Sequence, residues 1–327
     1  MALPAPLHGV IPPVCTPLGP DGEVDTASLT RLVHHLLDGG VHALFALGST
    51  SEVAYLTDAQ RGTALETVLE AAAGRVPVLA GVIDTTTPRV LDHARTAAAL
   101  GADALVATAP FYTRTHPREI AAHFRHLRAA VNLPLLAYDI PAAVHSKLAP
   151  ELVRELAEDG TLAGLKDSSG DEGSLRRLLT ALGGRTGRHR GPAPGFAVLT
   201  GSELTADAAL LAGADGVVPG LGNVDPAAYV RLYDAARAGH WDRAAAEQER
   251  LVTLFAMVDA GPESEMGRSS AALGAFKAAL HLLGVTAHGT TAFPQRPLGA
   301  RAVAEVARRL DTAGLLPEGP ARGARHD

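Results

Sequence analysis

Lysine is scarce in this chain: Lys147, Lys166 and Lys277 are the only three, and arginine supplies the other 26 of the 29 basic side chains. Lys166 closes the apolar run Leu162-Ala163-Gly164-Leu165 and precedes the polar turn Asp167-Ser168-Ser169-Gly170-Asp171, where a strand would end. Arginine stays protonated, whereas a lysine held in an apolar site gives up its proton more readily and attacks ketones to form an imine. The chemistry such a residue offers is Schiff-base catalysis. The structural alternative is a strand-end lysine whose stem packs while its ammonium reaches water.

Other apolar runs end in residues with chemistry of their own. Gly48-Ser49-Thr50-Ser51-Glu52 is a small-residue turn whose hydroxyls and N–H groups could hold a carboxylate or phosphate, although Ser and Thr are also ordinary turn residues. Tyr112 follows one run and Tyr138 ends another; two phenols out of five tyrosines could relay protons, or simply pack with their hydroxyls bonded to backbone. Gly201-Ser202-Glu203 and Val218-Pro219-Gly220-Leu221-Gly222-Asn223 close two further runs, and their glycines allow close backbone approach to a ligand. Each string is ambiguous alone, but all share one position relative to a strand.

That position requires a scaffold. Short β-rich runs alternate with amphipathic helical patterns: Val10–Cys15, Ala43–Leu47, Val78–Ile83, Ala104–Ala107, Leu135–Tyr138, Leu162–Lys166, Ala197–Thr200 and Gly216–Val218 read as strands. Asp25, Thr57-Asp58 and Thr87-Pro88 start helices between them, and Gly39-Gly40, Gly74 and Gly101 stop them. Eight such units favour an α/β fold of the closed (β/α)8 TIM-barrel type over an open doubly wound sheet, the alternative. Pro226–Ala238, Trp241–Val258, Ser269–Leu283 and Gly299–Ala313 follow as helices. The expected organisation is a barrel carrying the active site over 1–224, a C-terminal helical appendage over 225–315 and a disordered tail over 316–327. The Gly, Pro and Arg segment 183–195 reads as a mobile loop.

Composition narrows the partners. Apolar residues make up 47% of the chain and aromatics 4%, so the core is built from Ala, Val and Leu. A formal charge of −6 with interspersed signs leaves no basic face for nucleic acid and no polybasic membrane patch, and points to a small-molecule partner. Cys15, the only cysteine, excludes an internal disulfide and a Cys-based metal cage. Without a signal-like start or an apolar stretch of bilayer length, the expected location is cytoplasmic.

The strings GSTSE, APFY, AYDIP, GLKDSSGD and GADGVVPGLGNVDP, in this order and spacing, resemble the pyruvate-dependent class I aldolases and lyases that include dihydrodipicolinate synthase and N-acetylneuraminate lyase. The resemblance runs from about His8 to about Leu315. It implies a (β/α)8 barrel with C-terminal helices, assembled as a homotetramer of two tight dimers, working without metal or organic cofactor. It implies that Lys166 forms the imine with pyruvate or another 2-oxo acid and that Tyr138 shuttles protons. Ser49 and Thr50 would bind the pyruvate carboxylate, Ser49 would link the two tyrosines, and Tyr112 would enter a neighbouring subunit's site. Val218 would line the pyruvate pocket, while Ser168, Gly201 and Glu203 would face the second substrate.

Three departures bear on that second substrate. Synthases of the family carry an arginine two residues after the YNxP proline to clamp the carboxylate of their aldehyde, and Ala143 stands there. Asp139 replaces the motif's Asn, and Ser51 replaces the second glycine of the carboxylate turn. The expectation is a lyase or aldolase that condenses pyruvate with, or releases it from, a sugar-derived or other neutral aldehyde. The alternatives are 4-hydroxy-tetrahydrodipicolinate synthase-like activity, a deoxy-sugar-acid dehydratase and a non-catalytic regulator that binds a 2-oxo acid. A metal-dependent enzyme is disfavoured, because the close pairs His34-His35 and His123/His126 among 14 histidines fall inside helical patterns away from strand ends.

Overall fold

The computed structural model describes residues 3–187 and 191–316. Eight strands form one sheet: β1 (Gly9–Val10), β2 (Leu44–Ala46), β3 (Val78–Gly81), β4 (Ala104–Thr108), β5 (Leu135–Asp139), β6 (Gly164–Asp167), β7 (Ala197–Thr200) and β8 (Gly216–Val217). Every pairing is parallel, in the order β1-β8-β7-β6-β5-β4-β3-β2. Every strand residue is buried, as a parallel sheet covered by helices requires.

The ring closes just beyond β1. Val14 N–H donates to Phe45 O at 2.9 Å and Phe45 N–H to Pro12 O at 3.0 Å, around a parallel bridge between Pro13 and Phe45. The open-sheet alternative is thereby set aside. The first strand is shorter than the expected Val10–Cys15 because Pro12 and Pro13 have no N–H to give the ladder.

Helices connect the strands: α1 (Thr26–Asp38), α2 (Asp58–Ala72), α3 (Thr87–Leu100), α4 (Pro117–Ala130), α5 (Pro141–Val144), α6 (Pro150–Glu158), α7 (Glu172–Ala181), α8 (Gly184–Gly187) and α9 (Ala206–Ala212). Local chemistry fixes their starts. Asp25 accepts from Ser28 N–H, Thr57 and Gln60 form a reciprocal capping box, and Pro88 sits in the first turn of α3, where a missing N–H costs nothing. Gly101 ends α3 at φ 96°, whereas α2 ends on a left-handed Ala73. The segment 183–195 contains the helical turn α8; its residues 188–190 and the expected disordered tail from 317 onward lie outside the described residues.

Four further helices follow: α10 (Pro226–Arg237), α11 (Trp241–Phe255), α12 (Arg268–Leu282) and α13 (Ala300–Thr312), each within a few residues of its expected bounds. One buried apolar cluster runs from the strands into Tyr229, Leu251, Phe276 and Leu310 of these helices, so they pack on the barrel rather than trail from it. No helix among the described residues is long and apolar enough to cross a membrane. The histidine pairs have structural surroundings. His35 bonds to Asn223 O, and His123 is buried in α4 with Nδ1 2.9 Å from the Thr87 hydroxyl, burial pushing its imidazole down to about 4.

Candidate active site at the strand ends

Register brings the amine and the phenol together: Tyr138 on β5 lies opposite Lys166 on β6, and Lys166 opposite Leu199 on β7. Lys166 is 4% exposed. Its Nζ lies 4.0 Å from the centroid of the Tyr138 ring and 4.9 Å from that of Phe45, and the two rings meet edge to face. The amine therefore ends on two aromatic surfaces and has no ion-pair partner among the described residues. Phe45 was not singled out in the sequence, since an inward phenylalanine in an apolar strand looks like ordinary core.

The Tyr138 hydroxyl lies 2.9 Å from Ser49 Oγ. Burial by itself would raise this phenol, but the charge of Lys166 and hydrogen bonds with Ser49, Lys166 and Ser168 outweigh it, so the net shift is downward. A hydroxyl flanked by an amine and two serines is suited to pass protons.

Ser49 stands on a tightly closed turn. Ser51 N–H donates to Gly48 O at 3.1 Å and Glu52 N–H to Ser49 O at 3.0 Å, while Leu47 and Glu52 adopt left-handed φ of 58° and 59°. The amides of Ser49 and Thr50 have no acceptor among the described residues, so two N–H groups and two hydroxyls are available for an anion. Ser51, the departure from the family pattern, does not add a third hydroxyl to that set. Its Oγ accepts from Gly48 N–H at 3.0 Å and donates to Val14 O, fastening the turn to the β1 segment.

Ser168 and Gly201 lie side by side just past the ends of β6 and β7. Gly201 N–H donates to Asp167 O at 2.7 Å, and a Cβ on Gly201 would stand 2.0 Å from Ser168 Oγ, so any larger residue there would displace the Ser168 hydroxyl. Behind that wall lies a cavity of about 400 Å³ lined by Asp171, Arg176, Ser202 and Thr205 among others; Lys166 is not part of its lining. Val218 is buried and donates from its N–H to Thr200 O at 2.7 Å.

Glu203 and Tyr112 both lie away from the Lys166 amine. Glu203 is turned inward: Oε1 accepts from the N–H groups of Gly220 and Leu221, and Oε2 from the Tyr229 hydroxyl. Burial nevertheless holds its carboxyl above the usual range. In this arrangement Glu203 joins the glycine loop after β8 to α10. Tyr112, at φ 80°, is 91% exposed, so a single chain does not bring it to Tyr138.

Asp139 and Lys147 form a pair the sequence did not disclose. Asp139 is buried beside Tyr138, pairs with Lys147 Nζ through Oδ2 and accepts from Leu148 N–H at 3.1 Å through Oδ1, tying down the loop that contains Ala143. Burial raises the Asp139 carboxyl despite Lys147 and the Leu148 N–H, and nearby Asp167 adds to the rise. A carboxyl raised by folding stabilises the protein below its unfolded value and loses that contribution as pH rises through the folded value. Asp139→Asn keeps an oxygen for Leu148 N–H and has no charge to bury. Its melting temperature relative to the parent is expected to increase as pH rises above the ordinary aspartate value of 3.8, as thermal scans from pH 3 to pH 8 would check.

Comparisons with known proteins bear on the fold and the family. The profile of the Dihydrodipicolinate synthetase family matches residues 6–313. An uncharacterized DapA-like lyase of Halobacterium salinarum is 34% identical over 313 residues, 96% of each chain. A 4-hydroxy-tetrahydrodipicolinate synthase of Stenotrophomonas maltophilia is 36% identical over 232 residues, 71% of this chain and 75% of that one. Among solved structures, YagE of E. coli K12, a prophage protein of the dihydrodipicolinic acid synthase family crystallised with pyruvate, superposes with a TM-score of 0.85 at 28% identity, over 94% of this chain and 99% of that one.

Proposed function

The chain belongs to the dihydrodipicolinate synthetase family, and from that premise we propose that it is a lyase or aldolase that joins pyruvate to a neutral, hydroxylated aldehyde, or releases pyruvate from the product, through an imine on Lys166. The observation that carries this reading is the buried Lys166 amine beside a Tyr138 hydroxyl bonded to Ser49.

The steps balance on these groups. The neutral amine adds to C2 of pyruvate, the former ketone oxygen leaves as water, and one proton taken up from solvent through Tyr138 leaves the imine protonated; hydrolysis later returns that proton. The methyl carbon then gives up a proton, relayed through Tyr138, and the resulting enamine attacks the aldehyde carbon while its oxygen takes up a proton. Water hydrolyses the imine and returns Lys166. The carboxylate of pyruvate sits against the amides and hydroxyls of Ser49 and Thr50, and Val218 borders its pocket. Ser168 and Gly201 face the aldehyde. Tyr112, projecting from the surface, completes the proton relay of a second subunit, so the working form is an oligomer, with a homotetramer as the family's arrangement. The setting is cytoplasmic.

Charge on the acceptor side favours a neutral aldehyde. Ala143 supplies no cation, Lys147 is committed to Asp139, and Asp167 and Asp171 line the adjoining cavity. A carboxylate-bearing acceptor would meet Asp167, Asp171 and Glu172 against the single guanidinium of Arg176, a net acidic lining. Offered at equal concentration with pyruvate, neutral hydroxylated aldehydes are expected to be consumed with kcat/KM at least about tenfold above that of aspartate semialdehyde. A preference for the semialdehyde would instead support the synthase activity named for the Stenotrophomonas relative.

A further inference from the structure

Lys277 is the third lysine of the chain, and it is buried. Its side chain is 3% exposed within α12, amid Phe276, Ala278, Ala279 and Leu280, and it pairs with Glu52 Oε2, whose side chain is 0% exposed. Burying two opposite charges is costly, and a well-packed apolar pair of similar volume commonly stabilises a fold as well or better. The pair therefore calls for an account beyond stability.

What it joins supplies one. Glu52 is the last residue of the Gly48–Glu52 turn and is held at φ 59°, a left-handed conformation that a residue with a Cβ adopts at a cost. Its Oε1 accepts from Ala292 N–H at 2.7 Å, and Lys277 Nζ also donates to Thr290 O at 2.8 Å. The segment carrying Thr290 is itself bridged to Leu18. The turn whose Ser49 and Thr50 amides have no acceptor among the described residues is thus fixed at its far end by a residue 225 positions away, within the C-terminal helices.

We propose that Lys277 and Glu52 are positioning residues for the 2-oxo acid: their ion pair holds Glu52 left-handed and so aims the amides and hydroxyls of Ser49 and Thr50 at the substrate carboxylate. This rests on the reading of that turn as the carboxylate site. The C-terminal helices then set pyruvate affinity from outside the barrel.

The test compares Lys277→Met, Glu52→Gln and Leu310→Ala with the parent chain. Leu310→Ala is the control, because it opens the packing of α13 at a fully buried position without touching the turn. Two readouts are taken well below each melting temperature: the pyruvate concentration that half-saturates imine trapping, and amide hydrogen exchange across residues 49–53. Lys277→Met is expected to raise half-saturation by about tenfold or more and to speed exchange across the turn by a similar factor, while Leu310→Ala lowers the melting temperature and moves neither. Glu52→Gln, which keeps an oxygen for Ala292 N–H, is expected to shift both in the same direction by about threefold and decides the matter if Lys277→Met does not fold. Unchanged affinity or unchanged exchange in the folded variants, or equal effects from Leu310→Ala, would overturn the proposal. Exchange needs no pyruvate, so a parent chain that forms no imine would count against the functional reading alone, and exchange would still decide whether the pair holds the turn.

Discussion

Replacing Lys166 by methionine is expected to lower turnover by roughly 10⁴-fold or more while leaving the protein folded. Methionine has a similar unbranched volume and keeps the stem packed, but it removes the amine aimed between the Phe45 and Tyr138 rings. Stability should hold or rise, since the lost amine is 4% exposed and has no carboxylate partner among the described residues. Activity and stability moving in opposite directions is the signature of a group kept for chemistry. Lys166→Arg should be equally inactive, because guanidinium stays protonated and cannot form the imine. Steady-state pyruvate release or consumption, measured beside a thermal melt, checks both variants.

The second large effect is at Tyr138. Tyr138→Phe keeps the ring that faces Lys166 and packs edge-on against Phe45, and removes only the hydroxyl 2.9 Å from Ser49 Oγ. Loss of a positioned proton-transfer group lowers rate by about 10²- to 10⁴-fold, and kcat is expected to fall within that range. Pyruvate half-saturation should change by only about threefold, because the variant frees one hydroxyl contact of Ser49 and leaves the amides of the Gly48–Glu52 turn in place, and ground-state binding is separable from proton transfer. A KM effect larger than the kcat effect would instead assign Tyr138 to binding.

Much of this site was legible in the sequence because strand ends are punctuated. Lys166, Tyr138, Ser49 and Gly201 each follow or close an apolar run, and a parallel barrel gathers such positions on one face. What the sequence concealed is long-range pairing. Nothing local to Lys277 or Glu52 announces their contact, and Lys147, on a loop after β5, gave no sign that it neutralises Asp139. Glu203 illustrates the converse. Its place after β7 suggests a substrate contact, yet the phenol of Tyr229 and two backbone amides reach it first. The shortened first strand follows from Pro12 and Pro13, a local signal that outweighs the apolar run around them.

The central claim is an imine on Lys166, and borohydride reduction in the presence of pyruvate tests it most directly. The expected result is one pyruvate-derived adduct per chain, mapped by peptide mass to Lys166, absent from Lys166→Met and dependent on pyruvate concentration. A folded protein that carries no adduct at saturating pyruvate, or one labelled at Lys147 or Lys277 instead, would contradict the account.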